Sequence, residues 1–279
     1  MTLPHEIVCR HIDLAVGVAI QRVTERSEEL FTSEIASLGN GGASPFQKLL
    51  VPEAKVFSSF ERSLSASLGK AFDYIAADIA KATYGNGKHD YPLEGKIAPE
   101  VIGAIEKIVA RYKAKRQNRA MPNTPAELAE LSTVIESTSP TLDRRIKNDV
   151  YFVDHEGFKN FLEIKTVQPN YDTCDKMKTR ILTIHAMHHG TGEQIRSLAV
   201  FPHNPNGIAG IYAWPPLQYF LDPEYDWKAR GIPLMGQGLW NFIGNSEHTY
   251  DELLSCFYEV SVSRKSQVQS LLKVSEGKA

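Results

Sequence analysis

Apolar residues recur along this chain with two periods, and the change from one to the other marks out its parts. From about residue 5 to 38, Ile7, Ile12, Leu14, Val16, Ile20 and Val23 recur near helical spacing, and Gly39-Asn-Gly-Gly42 supplies a stop. Residues 45–52 read as loop or short helix. A long helix is predicted over about 54–83, with Phe57, Phe60, Leu64, Leu68, Phe72, Ile75 and Ile79 along one side and Tyr84-Gly-Asn-Gly-Lys88 ending it. Another covers about 98–115. A third starts at Thr124-Pro-Ala-Glu-Leu128, with threonine as N-cap and proline at the first helical position.

After a polar break at Ser137-Thr-Ser-Pro140 the period shortens. Tyr151, Phe152 and Val153, then Phe158, Phe161, Leu162 and Ile164, are β-branched and aromatic residues suited to a pleated surface, and the run between them ends in Gly157. Two strands and a tight turn follow. If His155, Glu156 and Gly157 form a three-residue loop, with the glycine at positive φ, Asp154 faces Phe158 and Asp149 falls opposite Glu163. A helix over about 171–189 and a strand over 197–201 come next, giving strand, strand, helix, strand, an α/β order. Residues 202–247 are rich in Pro, Gly, Asn and aromatics and contain Trp214, Trp227 and Trp240. They read either as substrate-facing loops or as a cap over the core with buried tryptophans. A helix over 249–258 closes the chain, with a polar tail from Val268.

The hairpin carries the candidate chemistry. Side chains alternate across a strand, so Asp149, Glu163 and Lys165 share one face while Val150, Phe152, Leu162 and Ile164 point into an apolar layer. Two carboxylates across a ladder repel unless a cation lies between them. Mg²⁺ is the natural candidate, because it prefers oxygen ligands and binds through one or two carboxylates plus substrate phosphate. Lys165 adds a compact positive charge able to orient or help deprotonate an attacking water, or to stabilise charge growing on phosphorus. Outward Asp, Glu and Lys also occur on merely solvated hairpins, so the weight rests on the combination. The same register would set Lys147 across from Lys165, unless the ladder has splayed by then or the loop differs.

A formal charge of -2 over 279 residues does not mark a nucleic-acid binder, so any phosphate contact has to be local. Two basic groups qualify: Lys107, Arg111, Lys113, Lys115, Arg116 and Arg119, and then Arg144, Arg145 and Lys147 just before Asp149. Either could equally be a solvated face. Lys176, Lys178 and Arg180 stand near the start of the 171–189 helix, and the two lysines are further phosphate candidates. His185, His188 and His189 near its end lack the H-E-x-x-H pattern, so packed or surface histidines are expected there, not zinc ligands. Cys9, Cys174 and Cys256 are far apart with no C-x-x-C pair, and indicate neither a disulfide framework nor a cysteine zinc site. No run approaches the roughly 18 apolar residues of a membrane span, and the N-terminus lacks a basic signal start, so a cytoplasmic location is expected. Composition, at 42% hydrophobic and 23% charged, suits one large domain or a domain with a helical appendage.

Asp149, then Glu163-Ile164-Lys165 after a short hairpin, resembles the PD-(D/E)XK nuclease superfamily, with Asn148 where its first motif has proline. The strings Asn148-Asp-Val-Tyr-Phe-Val153 and Phe161-Leu-Glu-Ile-Lys-Thr-Val-Gln-Pro-Asn170 are similar to type II restriction endonucleases, most of all the TdeIII-type group. Val200-Phe-Pro-His-Asn-Pro-Asn-Gly207 and Gly238-Leu-Trp-Asn-Phe-Ile-Gly-Asn-Ser246 onward extend that likeness, which runs from about Phe60 to Val260. The resemblance implies a restriction-endonuclease-like core, a mixed sheet flanked by helices with a helical N-terminal region: one endonuclease domain over 1–279, with 1–45 a helical segment and 54–260 the catalytic and DNA-binding core. It implies Asp149 and Glu163 as metal ligands completed by the Ile164 carbonyl, Lys165 as the third catalytic residue, and Mg²⁺ as cofactor. In the superfamily a helix before the motif can offer an additional acid, for which Glu61 is the candidate, but an exposed helix glutamate near Arg62 and Lys70 is the expected reading and Glu61 is not counted in the site. It further implies double-stranded DNA as substrate, cleavage at a short palindrome such as GGNCC, a homodimer to match the two-fold site, and a cognate DNA methyltransferase. Two alternatives stay open: a structure-specific repair or junction nuclease of the same superfamily, and a non-catalytic DNA-binding protein of the same fold.

Overall fold

The computed structural model describes residues 3–32, 52–113, 121–165, 168–207 and 214–273. The expected stop at Gly39–Gly42, the 45–51 segment and the basic residues Lys115, Arg116 and Arg119 lie outside these residues. Contacts divide the chain into two compact units: Met1–Leu3 with Ala76–Tyr250, and Pro4–Ile75 with Asp251–Ala279.

The second unit is helical. It contains α1 (His5–Thr32), most of α2 (Pro52–Tyr84) and, after a start at Thr249 in the other unit, α8 (Thr249–Lys273). The buried stripe of α1 runs through Val8, Ile12, Ala15, Ala19 and Val23, while Ile7 and Leu14, expected inside, are exposed. Small alanines let neighbouring helices approach closely, so packing chose a seam that a count of large apolar residues misplaces by about one position. Ala19, Val23, Phe60 and Leu271 form one apolar cluster with Ile20, Leu64 and Val268. The terminal helix runs on to Lys273 where a fraying tail from Val268 was expected.

The first unit is built on a four-stranded mixed sheet in the order β1-β2-β3-β4: β1 (Lys88–Ile97), β2 (Leu142–Val153), β3 (Lys159–Ile164) and β4 (Ile195–Val200). The first two pairings are antiparallel and β3–β4 is parallel. The parallel pair needs a crossover, supplied by α5 (Tyr171–His188). Helices α3 (Pro99–Tyr112) and α4 (Thr124–Glu136) pack with α5 in the main core, through Ile105, Ile108, Leu131, Met177 and Ile181. Residues 214–245 add α6 (Pro215–Phe220), the two-residue strands β5 (Lys228–Ala229) and β6 (Ile232–Pro233), and α7 (Gln237–Gly244). Trp240 and Trp227 are buried in this region, so much of it caps the core. No described helix is long and apolar enough to cross a membrane.

Three expectations need correcting. Strand β1 and the first half of β2 were not anticipated, because Pro92, Gly95 and the polar run Asp143-Arg-Arg-Ile-Lys147 read against a strand. They form an edge ribbon with most side chains exposed, where proline costs no shared ladder bond and polar residues face water. The N-cap of α4 is Asn123, whose side chain accepts from the Ala126 amide at 3.0 Å, and not Thr124. Lys178, considered for phosphate contact, is fully buried.

Thr124 and Lys178 instead belong to a buried polar cluster. Lys178 Nζ lies 2.5 Å from Glu127 Oε2, 2.8 Å from Asp226 Oδ2 and 2.7 Å from Thr124 Oγ1. Thr124 Oγ1 in turn donates to Asp226 Oδ1, the Thr124 amide donates to Asp222, and the Tyr112 hydroxyl donates to Glu127. Burial pushes the Asp226 carboxyl up, and the Lys178 ammonium opposes that shift. This one cluster ties α3, α4, α5 and the 222–226 loop together. The nearby His185 is packed: burial, then His188 and Lys178, hold it down at about 4.

Lys178→Ala is expected to destabilise the protein by about 3–5 kcal/mol in chemical denaturation, because it strands buried carboxylates. The exposed Lys176→Ala should stay within about 0.5 kcal/mol, and equal effects would refute the structural role given to Lys178. His185 has a folded pKa below its ordinary 6.5. Its contribution is therefore present above pH 6.5 and lost as pH falls towards 4. Thermal midpoints should decline across that window and His185→Gln should flatten the decline; an unaltered slope would show that the imidazole charges within the fold.

Candidate active site

The site is positioned by the β2–β3 turn. The pairs Val150 with Leu162, Tyr151 with Phe161, Phe152 with Asn160 and Val153 with Lys159 set the register. The Asp154 amide donates to the Phe158 carbonyl at 3.0 Å, the Gly157 amide to the Asp154 carbonyl at 3.0 Å, and Gly157 has φ +85°. The three-residue loop is therefore the one the sequence predicts. Continuing the register by one step sets Asp149 across from Glu163.

The expectation that one face is chemical and the other core holds only near that end. Farther along the acid-bearing face, Tyr151 and Phe161 are buried with Ile184 of α5, and His188 lies 5.2 Å from the Phe161 ring. On the opposite face Phe152 stacks on Tyr84 at 4.9 Å and meets Phe242 at 6.0 Å. Both faces of the hairpin are thus covered, and the acids stand beyond Tyr151 and Phe161 on the face that α5 packs against.

Asp149, Glu163 and Lys165 come together there. Lys165 Nζ lies 2.6 Å from Glu163 Oε1 and 3.4 Å from Asp149 Oδ2. The Ile164 amide donates to Asp149 Oδ2 at 2.8 Å, and the Lys165 amide donates to Val200 across the parallel pair. The Ile164 amide is thus turned onto a side chain and away from the ladder. That is the splay: Lys147 pairs with Pro92 of β1 and its ammonium reaches Asp90 at 2.8 Å, well away from a lysine–lysine pairing. All three site side chains are partly buried, with exposures of 20% for Asp149, 16% for Glu163 and 32% for Lys165. Burial pulls the Lys165 ammonium down, but the Glu163 and Asp149 carboxylates outweigh it and hold the group above its ordinary value.

Arg180 of α5 is the residue that the sequence did not single out for the site. Its Nε lies 3.0 Å from Glu163 Oε2, and its guanidinium donates to Asn148 Oδ1 at 3.0 Å and to the Lys147 carbonyl. No linear motif links position 180 to 163; only the crossover helix does. Despite that short approach, Glu163 Oε2 is buried without an aligned hydrogen-bond donor. A buried carboxylate oxygen left unaligned beside a second carboxylate is what an oxygen-preferring divalent cation would satisfy, and with the Ile164 carbonyl the donor set is all oxygen. The residues fit the group.

A cleft of about 340 Å³ beside the acids is lined by Arg144, Arg145, Lys147, Lys176 and Arg180 among others, a local positive surface on a chain of net charge -2. The larger cavity, about 1160 Å³, lies among residues of the 204–247 region, where Glu247 is the single carboxylate in its wall among the described residues. Its wall lacks the paired acids that the hairpin brings together. Lys107, Arg111 and Lys113 lie on or just after α3, where Arg111 pairs with Glu130 and Lys113 with Asp175. Glu61 is exposed on α2 in the helical unit.

Comparison with known proteins bears on the whole chain. The family model described as type II restriction endonuclease, HinfI, matches residues 9–261. The type II restriction enzyme HgiCII of Herpetosiphon aurantiacus is 26% identical over 263 residues, covering 94% of this chain and 93% of that protein. HgiBI of the same organism is 25% identical over 267 residues, covering 94% and 93%, and HgiEI is 25% identical over 240 residues, covering 84% and 83%. The family model is that of HinfI, within the same class of enzymes as the TdeIII-type group named from the motifs, and it takes in α1 as well as the hairpin core. With a match from the first turns of α1 to the middle of α8, around a mixed sheet flanked by helices, the chain belongs to the HinfI family of type II restriction endonucleases.

Proposed function

We propose that this protein hydrolyses both strands of DNA at a short palindrome in a Mg²⁺-dependent reaction, with Asp149, Glu163 and Lys165 as its catalytic residues. The observation that carries the reading is the convergence of Asp149, Glu163 and Lys165, with Lys165 within 3.4 Å of both acids, near a basic cleft that Arg180 also lines. Asp149, Glu163 and the Ile164 carbonyl would hold the cation. When bound, the cation supplies Lewis-acid polarisation of the scissile phosphate and favours hydroxide over water. Lys165, kept protonated by its two carboxylate neighbours, places positive charge where negative charge grows in the transition state. Arg180 positions Glu163, and Arg144, Arg145 and Lys176 take up flanking phosphates.

The remaining assignments rest on the family resemblance and on symmetry. A two-fold symmetric target is cut most simply by a homodimer, the recognised bases are of the GGNCC type, and a methyltransferase of matching specificity protects the host DNA.

Digestion of long unmethylated DNA with Mg²⁺ should give discrete fragments, and EDTA should abolish them. Asp149→Asn, Glu163→Gln and Lys165→Ala should each lower cleavage by about 10²–10³-fold or more. Mapped ends supply the recognition sequence, and a smear without fixed ends would favour a structure-specific nuclease instead. Arg180→Ala should raise the Mg²⁺ concentration for half-maximal cleavage by about 10–100-fold, with rate recovered at high Mg²⁺. If its loss persists at saturating Mg²⁺, Arg180 acts on DNA and does not position Glu163.

A further inference from the structure

A second group of ligating atoms lies in the helical unit. His5 and Cys9 are four residues apart on α1, and Cys256 and Glu259 three apart on α8, spacings that put each pair on one face of its helix. His5 Nδ1 lies 3.3 Å from Cys256 Sγ and His5 Nε2 lies 3.5 Å from Cys9 Sγ. The ligand atoms of these three residues all fall within 4.8 Å of one another. Glu259 Oε2 stands 3.0 Å from His5 Nε2 and 3.9 Å from Cys9 Sγ. Cys256 is buried and Cys9 partly so.

An imidazole binds a metal through one nitrogen, so the Nδ1 and Nε2 approaches are alternatives; with one nitrogen chosen, the three ligand atoms lie within 4.8 Å of one another, which small side-chain movements bring to a tetrahedral shell. With Zn–S near 2.3 Å and Zn–N near 2.0 Å, a tetrahedral shell has N···S edges of roughly 3.5 Å and N···O edges of roughly 3.3 Å. An ordinary His–Glu surface pair would account for two of the four groups, but it gives no reason for two thiols to converge on the same imidazole, since a thiol is only a weak hydrogen-bond partner. Thiolate and imidazole ligands together select zinc over the hard cations that suit Asp149 and Glu163.

We propose that Cys9, Cys256 and His5 bind a Zn²⁺ ion, with Glu259 as fourth ligand, and that the ion staples the start of α1 to α8. Four protein ligands leave no open position, so the site is structural. It reinforces a contact that already exists: about two turns further along each helix, Arg264 clasps Asp13 through two 2.6 Å bonds. The ligands come from opposite ends of the sequence, which is why the cysteine spacing alone gave no zinc signal.

The test uses the full chain, produced with zinc in the medium, purified without chelator and dialysed into metal-free buffer. Elemental analysis should find about one zinc per chain, equally in the wild type and in the Asp149→Asn/Glu163→Gln variant. Cys9→Ser/Cys256→Ser should reduce zinc content by about tenfold or more, and Co²⁺ substituted into the wild type should show a thiolate charge-transfer band that this variant lacks. Should the double variant misfold, the exposed His5→Gln and Glu259→Gln are each expected to lose zinc faster to a competing chelator. Zinc absent from the wild type, zinc retained by the cysteine variant, chelator loss unchanged in the single variants, or a Cys9–Cys256 disulfide in the purified protein would each overturn the proposal.

Discussion

Asp154 is the constraint on which the site depends. Its Oδ1 accepts from the Glu156 and Phe158 amides at 3.0 Å each, which closes the turn, while its Oδ2 is held by Arg196 of β4 at 2.5 Å and by Asn160 at 3.3 Å. The carboxylate is almost fully buried, and Arg196 also lies over the Phe158 ring at 3.5 Å. A charge-assisted network of this kind resists local rearrangement, since stranding either partner is costly. Side chains alternate with a period of two, so a slip of one residue here would carry Asp149 to the opposite face from Glu163. Asn86 adds a second restraint at the same end, exchanging hydrogen bonds with the Val153 backbone at 2.6 and 3.0 Å. A few residues from the acids, the turn decides whether they can meet.

Helix α5 works in two directions. Lys178 points into the core and binds Asp226 and Glu127, while Arg180, two residues on, points to Glu163 and Asn148. Residues two apart lie on different sides of a helix, so one element carries both the cluster that fixes it and the guanidinium that reaches the site. The buried cluster therefore bears on function through position. Anchoring Lys178 sets the rotation of the helix about its axis, and that rotation aims Arg180. The parallel β3–β4 pair makes the arrangement possible, because its crossover helix packs back against the sheet and brings Arg180 to Glu163.

What could be read from the chain follows from how local each determinant is. The hairpin, its loop and the facing of Asp149 and Glu163 were legible because turn chemistry and two-residue alternation act over a short span of chain. The long helices were legible for the same reason, with some ends misplaced by a residue, as at Asn123 and Thr124, and the last helix expected to stop at 258 where it runs to Lys273. Strand β1 was not legible, since Pro92 and Gly95 argue against a strand and only pairing with β2 overrides them. Nor was the burial of Lys178: a lysine beside Lys176 and Arg180 reads as a basic face until Asp226 and Glu127 are brought to it.

The sequence by itself determined the hairpin, its loop and the register that sets Asp149 and Glu163 together with Lys165, because these depend on neighbours along the chain. The tertiary structure decided what those neighbours cannot specify: which positive charges are spent in the core and which line the cleft, that Arg180 stands beside Glu163, and that His5 and Cys9 meet Cys256 and Glu259 from the other end of the chain. Such pairings join residues tens to hundreds of positions apart, and no local propensity or spacing encodes them. They exist only once the helices have packed.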